Sequence, residues 1–151
     1  MGEVLSTGKN SRLYRSLVNE NLSLKVGAGV ENLRAAGLFE VDAALSPGVP
    51  HDAVEKTVLA EIEKVKTEGV TAEEVNQVIH QYRASQAYGR DGTAAVISEL
   101  NEWVSAGDWT QYSRYGDAIA RVTPADVQRV AKQYLIVQQS TTGWYVPESS
   151  K

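Results

Sequence analysis

Apolar and polar residues alternate along two stretches near the start of the chain, a pattern typical of β-strands with one buried face. The first stretch runs over residues 22–30 and the second over 38–45. The link between them, from Asn32 to Gly37, is short enough to predict a turn and an antiparallel hairpin. The predicted inward residues are Leu22, Leu24, Val26, Ala28 and Val30 in the first strand, and Phe39, Val41, Ala43 and Leu45 in the second, with Glu40 and Asp42 outward.

The rest of the chain is patterned mainly as helices. Thr71, with Glu74 three residues later, predicts a capping box at the start of one helix. Thr123 followed by Pro124 predicts the start of another helix. A last strand is predicted from Thr141 to Val146, ended by Pro147, and residues 148–151 are expected to fray. The predicted helices lie at 12–19, at 51–67, from Thr71 to Gly107 with an interruption near 89–92, at 109–121, and after Thr123.

The helix over 51–67 has an apolar face and a charged face. The residues predicted to be buried are Val54, Val58, Leu59, Ile62 and Val65. The residues predicted to be solvated are Glu61, Glu63, Lys64, Lys66 and Glu68. Together, the elements predict an α+β fold in which helices cover one face of a mostly antiparallel sheet.

The composition of the chain disfavours several classes of function. The 151 residues fit one domain, and 42% hydrophobic with 23% charged residues is ordinary for a soluble globular protein. A net charge of -4 disfavours nucleic acid and anionic membranes as partners. The chain has no cysteine and no apolar run of about 18 residues, so we expect no disulfide and no transmembrane helix. These features suit the cytoplasm and the periplasm equally.

The two histidines do not make a convincing metal site. His51 and Glu55 share a helical face, but zinc sites need three or four ligands. We therefore interpret His51 as an exposed first-turn residue and Glu55 as a solvated charge, and we favour no ligand role for His80. Neither the His-Glu-x-x-His motif nor its reverse occurs. The sequence predicts no catalytic residue and no metal ligand.

Glycine-rich and aromatic clusters also favour structural roles. The glycines at 27 and 29 lie within a strand and lack the lysine of a phosphate-binding loop, so a bulge or a close backbone approach is expected. The glycines at 89 and 92 are expected to interrupt a helix. The aromatic residues near one loop have helical spacing, which favours core packing over a ligand cage; they are Trp103, Trp109, Tyr112 and Tyr115.

Several ordered segments resemble the insulinase/pitrilysin zinc peptidases, a family that includes the mitochondrial processing peptidase. The most telling is the run from Gly8 to Val18, with Ser11, Arg12 and Leu13 at its centre. Each segment is short, but their order and spacing cover nearly the whole chain. The others are Gly37 to Phe39, Pro47 with Gly48, Val54 with Glu55, Glu61 with Ile62, residues 69–75, residues 107–109, residues 122–131 and Thr142 to Pro147.

The resemblance implies a role within a larger enzyme. Family members consist of repeated α+β units, of which one carries a reversed His-x-x-Glu-His zinc motif and the others close a chamber around the peptide. Residues 1–151 resemble the later three-quarters of a non-catalytic unit, a single incomplete domain. Zinc is then implied for the parent enzyme and not for this chain. The implied partners are the zinc-bearing unit and a peptide substrate.

One departure from the family pattern concerns peptide gripping. Substrate-gripping units carry an arginine and, seven residues later, a tyrosine, but the matching positions here are Val18 and Lys25. The resemblance therefore places the chain in the zinc-bearing half of its parent and leaves the substrate-binding residues unknown.

Three functions remain open. The first is a chamber-forming, non-catalytic segment of a zinc-dependent peptidase. The alternative is a structural or assembly subunit of the same fold without proteolytic activity, and an independent small enzyme is the least favoured. A sheet with an unpaired edge and uncovered apolar residues also predicts that the isolated chain forms a homo-oligomer.

Overall fold

A computed structural model describes residues 1–31, 34–35, 37–89 and 92–146. It has the predicted α+β class, with a two-stranded antiparallel sheet in the described part of the chain. The elements in chain order are α1 (Gly2–Ser6), a π-helical turn (Tyr14–Val18), β1 (Ser23–Val30), β2 (Phe39–Leu45), α2 (His51–Thr67), α3 (Ala72–Gly89), α4 (Thr93–Ala106), α5 (Gln111–Ile119), α6 (Pro124–Tyr134) and a 3₁₀ turn (Val137–Gln139).

The hairpin of β1 and β2 contains a bulge that the alternation did not predict. Val26 lies opposite Ala43, but Ser23 lies opposite Leu45, which leaves one extra residue on β1. That residue, Leu24, is 67% exposed, whereas Ser23 is buried. The inward prediction is therefore wrong for Leu24, because the bulge reverses the side on which the earlier residues of β1 lie. Val30 is also exposed, at the end of the strand.

The alternation of β2 is confirmed along its whole length. Phe39, Val41, Ala43 and Leu45 are half-buried, while the residues between them are exposed. In the predicted turn before β2, residues 32, 33 and 36 lie outside the described residues. Helix α1 and the π-helical turn contact β1, α2 contacts β2, and α3 and α6 pack in turn on α1 and α2. The core residues are Val4, Leu5, Leu13, Leu17, Val26, Val54, Val65, Val70, Val75, Ile79, Val127 and Ala131.

Helix α2 has the predicted bounds, and its predicted buried face is confirmed except at two positions. Val54 and Val65 are buried, and Val58 and Ile62 are half-buried, as predicted. Glu61, predicted to be solvated, is only 9% exposed, and Leu59, predicted to be buried, is exposed. The prediction was wrong at Glu61 because it assumed that a charged residue cannot lie in the buried stripe. Glu61 can lie there because Lys64 forms an ion pair with it.

Helices α3 to α5 meet through aromatic side chains. The Tyr115 ring lies 4.7 Å from the Trp103 ring and 5.7 Å from the Tyr82 ring, between centroids. The predicted interruption separates α3, which ends at Gly89, from α4, which starts at Thr93. Trp109 does not join the packing, since it is 64% exposed. Among the described residues, none of the helices combines the length and the apolar character needed to cross a membrane.

The strand predicted from Thr141 to Val146 is wrong. These residues have no regular secondary structure and are exposed. Alternating residues become a strand only beside a neighbour that completes their backbone hydrogen bonds, and no described strand pairs with them. The Trp144 ring instead stacks on His51, 5.4 Å between centroids. Pro147 and residues 148–151 lie outside the described residues.

Candidate functional site

The segment from Ser11 to Leu13 connects the first helix to the core. The Ser11 hydroxyl is buried and donates to the Gly8 carbonyl at 2.8 Å. Gly8 has a φ of +83°, a conformation that glycine adopts without strain as a helix ends. Leu13 is completely buried in the core. With its neighbours fixed on both sides, Arg12 is held in one orientation.

Arg12 joins this segment to the turn between α2 and α3. Its Nε donates to Glu74 Oε1 at 2.7 Å, and its Nη2 donates to Glu74 Oε2 at 2.9 Å and to the Gly69 carbonyl at 3.0 Å. Glu74 also closes the predicted capping box with Thr71, accepting from the Thr71 N–H at 2.7 Å. A bidentate arginine–carboxylate pair of this kind is among the stronger polar contacts in proteins.

The pair keeps both partners charged. The hydrogen bond from Arg12 is the main cause that lowers the pKa of Glu74 from 4.5 to about 2. The same bond raises the pKa of Arg12. The Glu74 carboxylate therefore stays ionised at any physiological pH and cannot serve as a general acid there.

An open cleft of about 370 Å³ lies beside this junction. Glu61 in its wall is held by Lys64, whose Nζ donates to Glu61 Oε1 at 2.7 Å. The lining carries three cations and two carboxylates, so it suits polar or charged groups. It lacks a nucleophile paired with a histidine base, as acyl transfer would require. The lining residues are Arg12, Arg15, Ser16, Glu61, Lys64 and Glu68.

The remaining motif residues lie at the two ends of β2, and no described hydrogen bond or ion pair joins them to Arg12. Gly37 precedes the strand and Phe39 begins it, half-buried opposite Val30. Pro47 and Gly48 follow it in a turn closed by a bond from the Val49 N–H to the Ser46 carbonyl at 3.1 Å. Gly48 has a φ of +79°, as the third residue of a type II turn requires. These residues shape the hairpin and do not form one site with Ser11, Arg12 and Leu13.

The two positions that depart from the family pattern do not form a pair. Val18 ends the π-helical turn and packs half-buried against the core. Lys25 is exposed on β1. A valine in the core and a lysine in solvent offer no aromatic or bidentate contact to a peptide.

The zinc that the resemblance implies for the parent does not fit the described residues. Within residues 1–31, 34–35, 37–89 and 92–146, no three histidine, cysteine, aspartate or glutamate side chains converge on a metal-sized position. His51 is half-buried against Trp144, and His80 is exposed on α3. We therefore derive no zinc-dependent step for these residues, and the prediction of a metal-free chain stays a prediction.

Sequence reasoning missed the two acidic residues that matter most here. Glu74 was recognised only as half of a capping box, because its arginine partner is 62 residues away. The burial of Glu61 had one local signal, its position in the spacing of the apolar stripe on α2. The partnership of Arg12 with the Gly69 carbonyl had no signal, since every residue carries a carbonyl.

The sequence was compared with protein families and with curated proteins. Residues 1–82 match the family described as the peptidase M16 inactive domain, which is more than half of the chain. An uncharacterised zinc protease of Streptomyces coelicolor is 28% identical over 139 residues, covering 89% of this chain and 30% of the relative. The zinc protease PqqE of Helicobacter pylori is 24% identical over 148 residues, covering 97% of this chain and 33% of the relative. The chain thus spans about a third of these relatives.

A solved structure supports the same family. The inactive peptidase domain of a Bordetella parapertussis protein assigned to the zinc proteases superposes with a TM-score of 0.87 at 25% identity, covering 99% of this chain and 80% of that one. The predicted resemblance to a non-catalytic part of the insulinase-type zinc peptidases is confirmed. The chain belongs to the peptidase M16 inactive-domain family.

Proposed function

We propose that the chain is a chamber-forming, non-catalytic segment of a zinc-dependent peptidase, held against the zinc-bearing unit of the same parent protein. The intact enzyme would hydrolyse peptides enclosed between the units. The chain's own contribution is a rigid wall, in which Arg12 and Glu74 lock the first helix to the α2–α3 turn. The family match and the relatives named as zinc proteases support this proposal.

The observation that carries the proposal is a set of large apolar side chains that lie exposed in the described part of the chain. Contiguous apolar surface of this kind marks sites of contact with another protein surface, whereas single exposed apolar residues are ordinary. Five of these side chains are each more than half exposed: Ile97, Val104, Trp109, Trp144 and Tyr145.

The same surface leads us to propose that the isolated chain forms a homo-oligomer. Removing exposed apolar surface from water lowers the free energy by about 25 cal/mol per Å². When the natural partner is absent, contact between copies of the chain is therefore favoured. Ile97 and Val104 are seven residues apart on α4, hence on one face of the helix, and both are more than half exposed.

Co-purification tests the proposal. The chain is mixed with the zinc-bearing unit of its parent, and the mass of the complex and the hydrolysis of a fluorogenic peptide are measured. A one-to-one complex whose hydrolysis exceeds that of the zinc-bearing unit alone is expected. A complex without hydrolysis would instead support the structural or assembly subunit, and the absence of any complex would contradict both.

A further inference from the structure

The cleft beside Arg12 has two walls of opposite charge. The first wall presents Arg12 and Arg15, which lie three residues apart in the helical segment that ends at Val18. The second wall presents Glu61 and Glu68, which lie seven residues apart on α2. Spacings of three and seven keep the members of each pair on one helical side. The arginines therefore face the carboxylates across the cleft.

The opposite charges of the two walls do not pair with each other. Arg12 binds Glu74, which lies outside the cleft lining, and Glu61 binds Lys64 of its own helix. The hydrogen bond from Glu74 is the main cause that raises the pKa of Arg12, and the charges of Glu61 and Glu68 add to it through space. Among the described residues, no hydrogen bond or ion pair crosses between the walls.

Arg15 and Glu68 are the charges of the cleft that have no described partner. Both residues are exposed, and the side chain of neither takes part in a described hydrogen bond or ion pair. Arg12 donates through Nε and Nη2, so its Nη1 keeps two N–H groups without a described acceptor. The first wall can therefore donate hydrogen bonds to an anion, and the second wall can accept them from a cation.

The charges of the cleft indicate that it stays open to water when further elements complete the unit. Its walls are two elements that contact each other, whereas helix α1 contacts β1 and α3 and does not line the cleft. Covering an unpaired charge with another part of a protein costs free energy, so surfaces that become buried are mainly apolar. Arg15 and Glu68 therefore mark a surface that other elements of the unit leave uncovered.

The lining selects a molecule that carries both charges. A lone anion bound at the arginines would lie near the carboxylates of Glu61 and Glu68, and a lone cation would lie near the arginines. A molecule with a carboxylate at one end and an ammonium group at the other meets an opposite charge at each end. The cleft volume of about 370 Å³ is near the lower end of the range for small-molecule sites, roughly 300–1,000 Å³.

We propose that this cleft binds a small dipolar molecule, an amino acid or a short peptide with both termini free. Arg15, with Nη1 of Arg12, holds the carboxylate, and Glu68 holds the ammonium group. This binding rests on the two charged walls and holds whether or not the chain walls a chamber.

Binding of a dipeptide to the full chain tests the proposal. Ala-Ala with both termini free is titrated into the isotope-labelled chain up to about 20 mM, and the amide chemical shifts are followed by NMR. The Kd should be roughly millimolar, because the contacts are exposed to water. Shift changes should cluster at Arg15, Ser16 and residues 61–68. Blocking either end, in acetyl-Ala-Ala or in Ala-Ala-amide, should weaken binding about fivefold.

Single variants assign the two ends of the dipeptide. Arg15→Gln should remove the preference for Ala-Ala over Ala-Ala-amide and keep the preference over acetyl-Ala-Ala. Glu68→Gln should do the reverse. Arg83→Gln and Glu102→Gln are the matched controls, because both residues are exposed, lie outside the cleft lining and have no described hydrogen bond or ion pair through their side chains. The same spectra show whether each variant is folded.

Several results would overturn the proposal. The absence of shift changes in the cleft would do so, as would equal binding of Ala-Ala and its two blocked forms. Weakening by Arg83→Gln or Glu102→Gln as large as that by Arg15→Gln or Glu68→Gln would show an unspecific effect of charge. Inorganic phosphate that binds as tightly as Ala-Ala would make the cleft a simple anion site and would also contradict the proposal.

Discussion

The Arg12–Glu74 pair gives the most quantitative prediction. We expect Glu74→Gln to lower the free energy of unfolding at neutral pH by about 1–2 kcal/mol. Glutamine still accepts the Thr71 N–H and closes the capping box, so the substitution removes the charge and leaves the helix start in place.

The magnitude follows from the surroundings of the pair. A pKa lowered from 4.5 to about 2 sets a ceiling of about 3 kcal/mol, at about 1.4 kcal/mol for each pKa unit. Arg12 lines the open cleft, and the Glu74 and Arg12 side chains are 23% and 13% exposed, so both groups are accessible to water. Screening by that water lowers the expected loss below the ceiling.

The pair also predicts a pH dependence. Because folding lowers the pKa of Glu74, its contribution is complete above pH 4.5 and is lost as the pH falls toward about 2. Glu74→Gln should therefore flatten the fall in stability across this window. Wild type and variant should differ most near neutral pH and converge in acid.

Urea denaturation at a series of pH values measures both effects. Asp126→Asn is the matched control, because Asp126 closes the same kind of capping box with Thr123, but its arginine neighbour is exposed and 3.7 Å away. Glu74→Gln should cost more than Asp126→Asn. Equal losses, or an unchanged acid dependence in Glu74→Gln, would show that the ion pair contributes no stability and refute the reasoning.

Three further predictions concern single side chains. Ser23→Ala should stabilise the chain by about 1 kcal/mol, because the Ser23 hydroxyl is buried without a described hydrogen-bond partner. The control Ser11→Ala should destabilise the chain by a similar amount, because it removes the bond to the Gly8 carbonyl. A lower urea midpoint for Ser23→Ala would contradict this reasoning. Thr123→Ala should cost about 1 kcal/mol through loss of the α6 cap, and an unchanged midpoint would count against it. Val18→Arg with Lys25→Tyr should create no peptide hydrolysis in the isolated chain, so any metal-dependent turnover by that double variant would refute its non-catalytic assignment.

Local signals were enough to predict most helix boundaries. Helix α2 runs from His51 to Thr67 as predicted, the predicted capping box forms between Thr71 and Glu74, and a helix starts after Thr123 as predicted. A capping box needs only a side chain and a backbone group three residues apart, so it can be recognised without knowledge of the fold.

The features that the sequence did not predict depend on contacts between residues far apart in the chain. The Arg12 contacts span 57 and 62 residues, and nothing in the sequence marks Glu74 as their target. The bulge at Leu24 is a property of two strands together, so the alternation of one strand cannot show it. The strand predicted from Thr141 to Val146 lacks a described neighbour to pair with.

Zinc titration of the purified chain, followed by native mass spectrometry, tests the central claim most directly. If the chain is a non-catalytic segment, we expect its mass to stay that of the metal-free polypeptide in the presence of equimolar zinc, because the described residues bring no ligand set together. A tightly held zinc, about one per chain, would contradict the account.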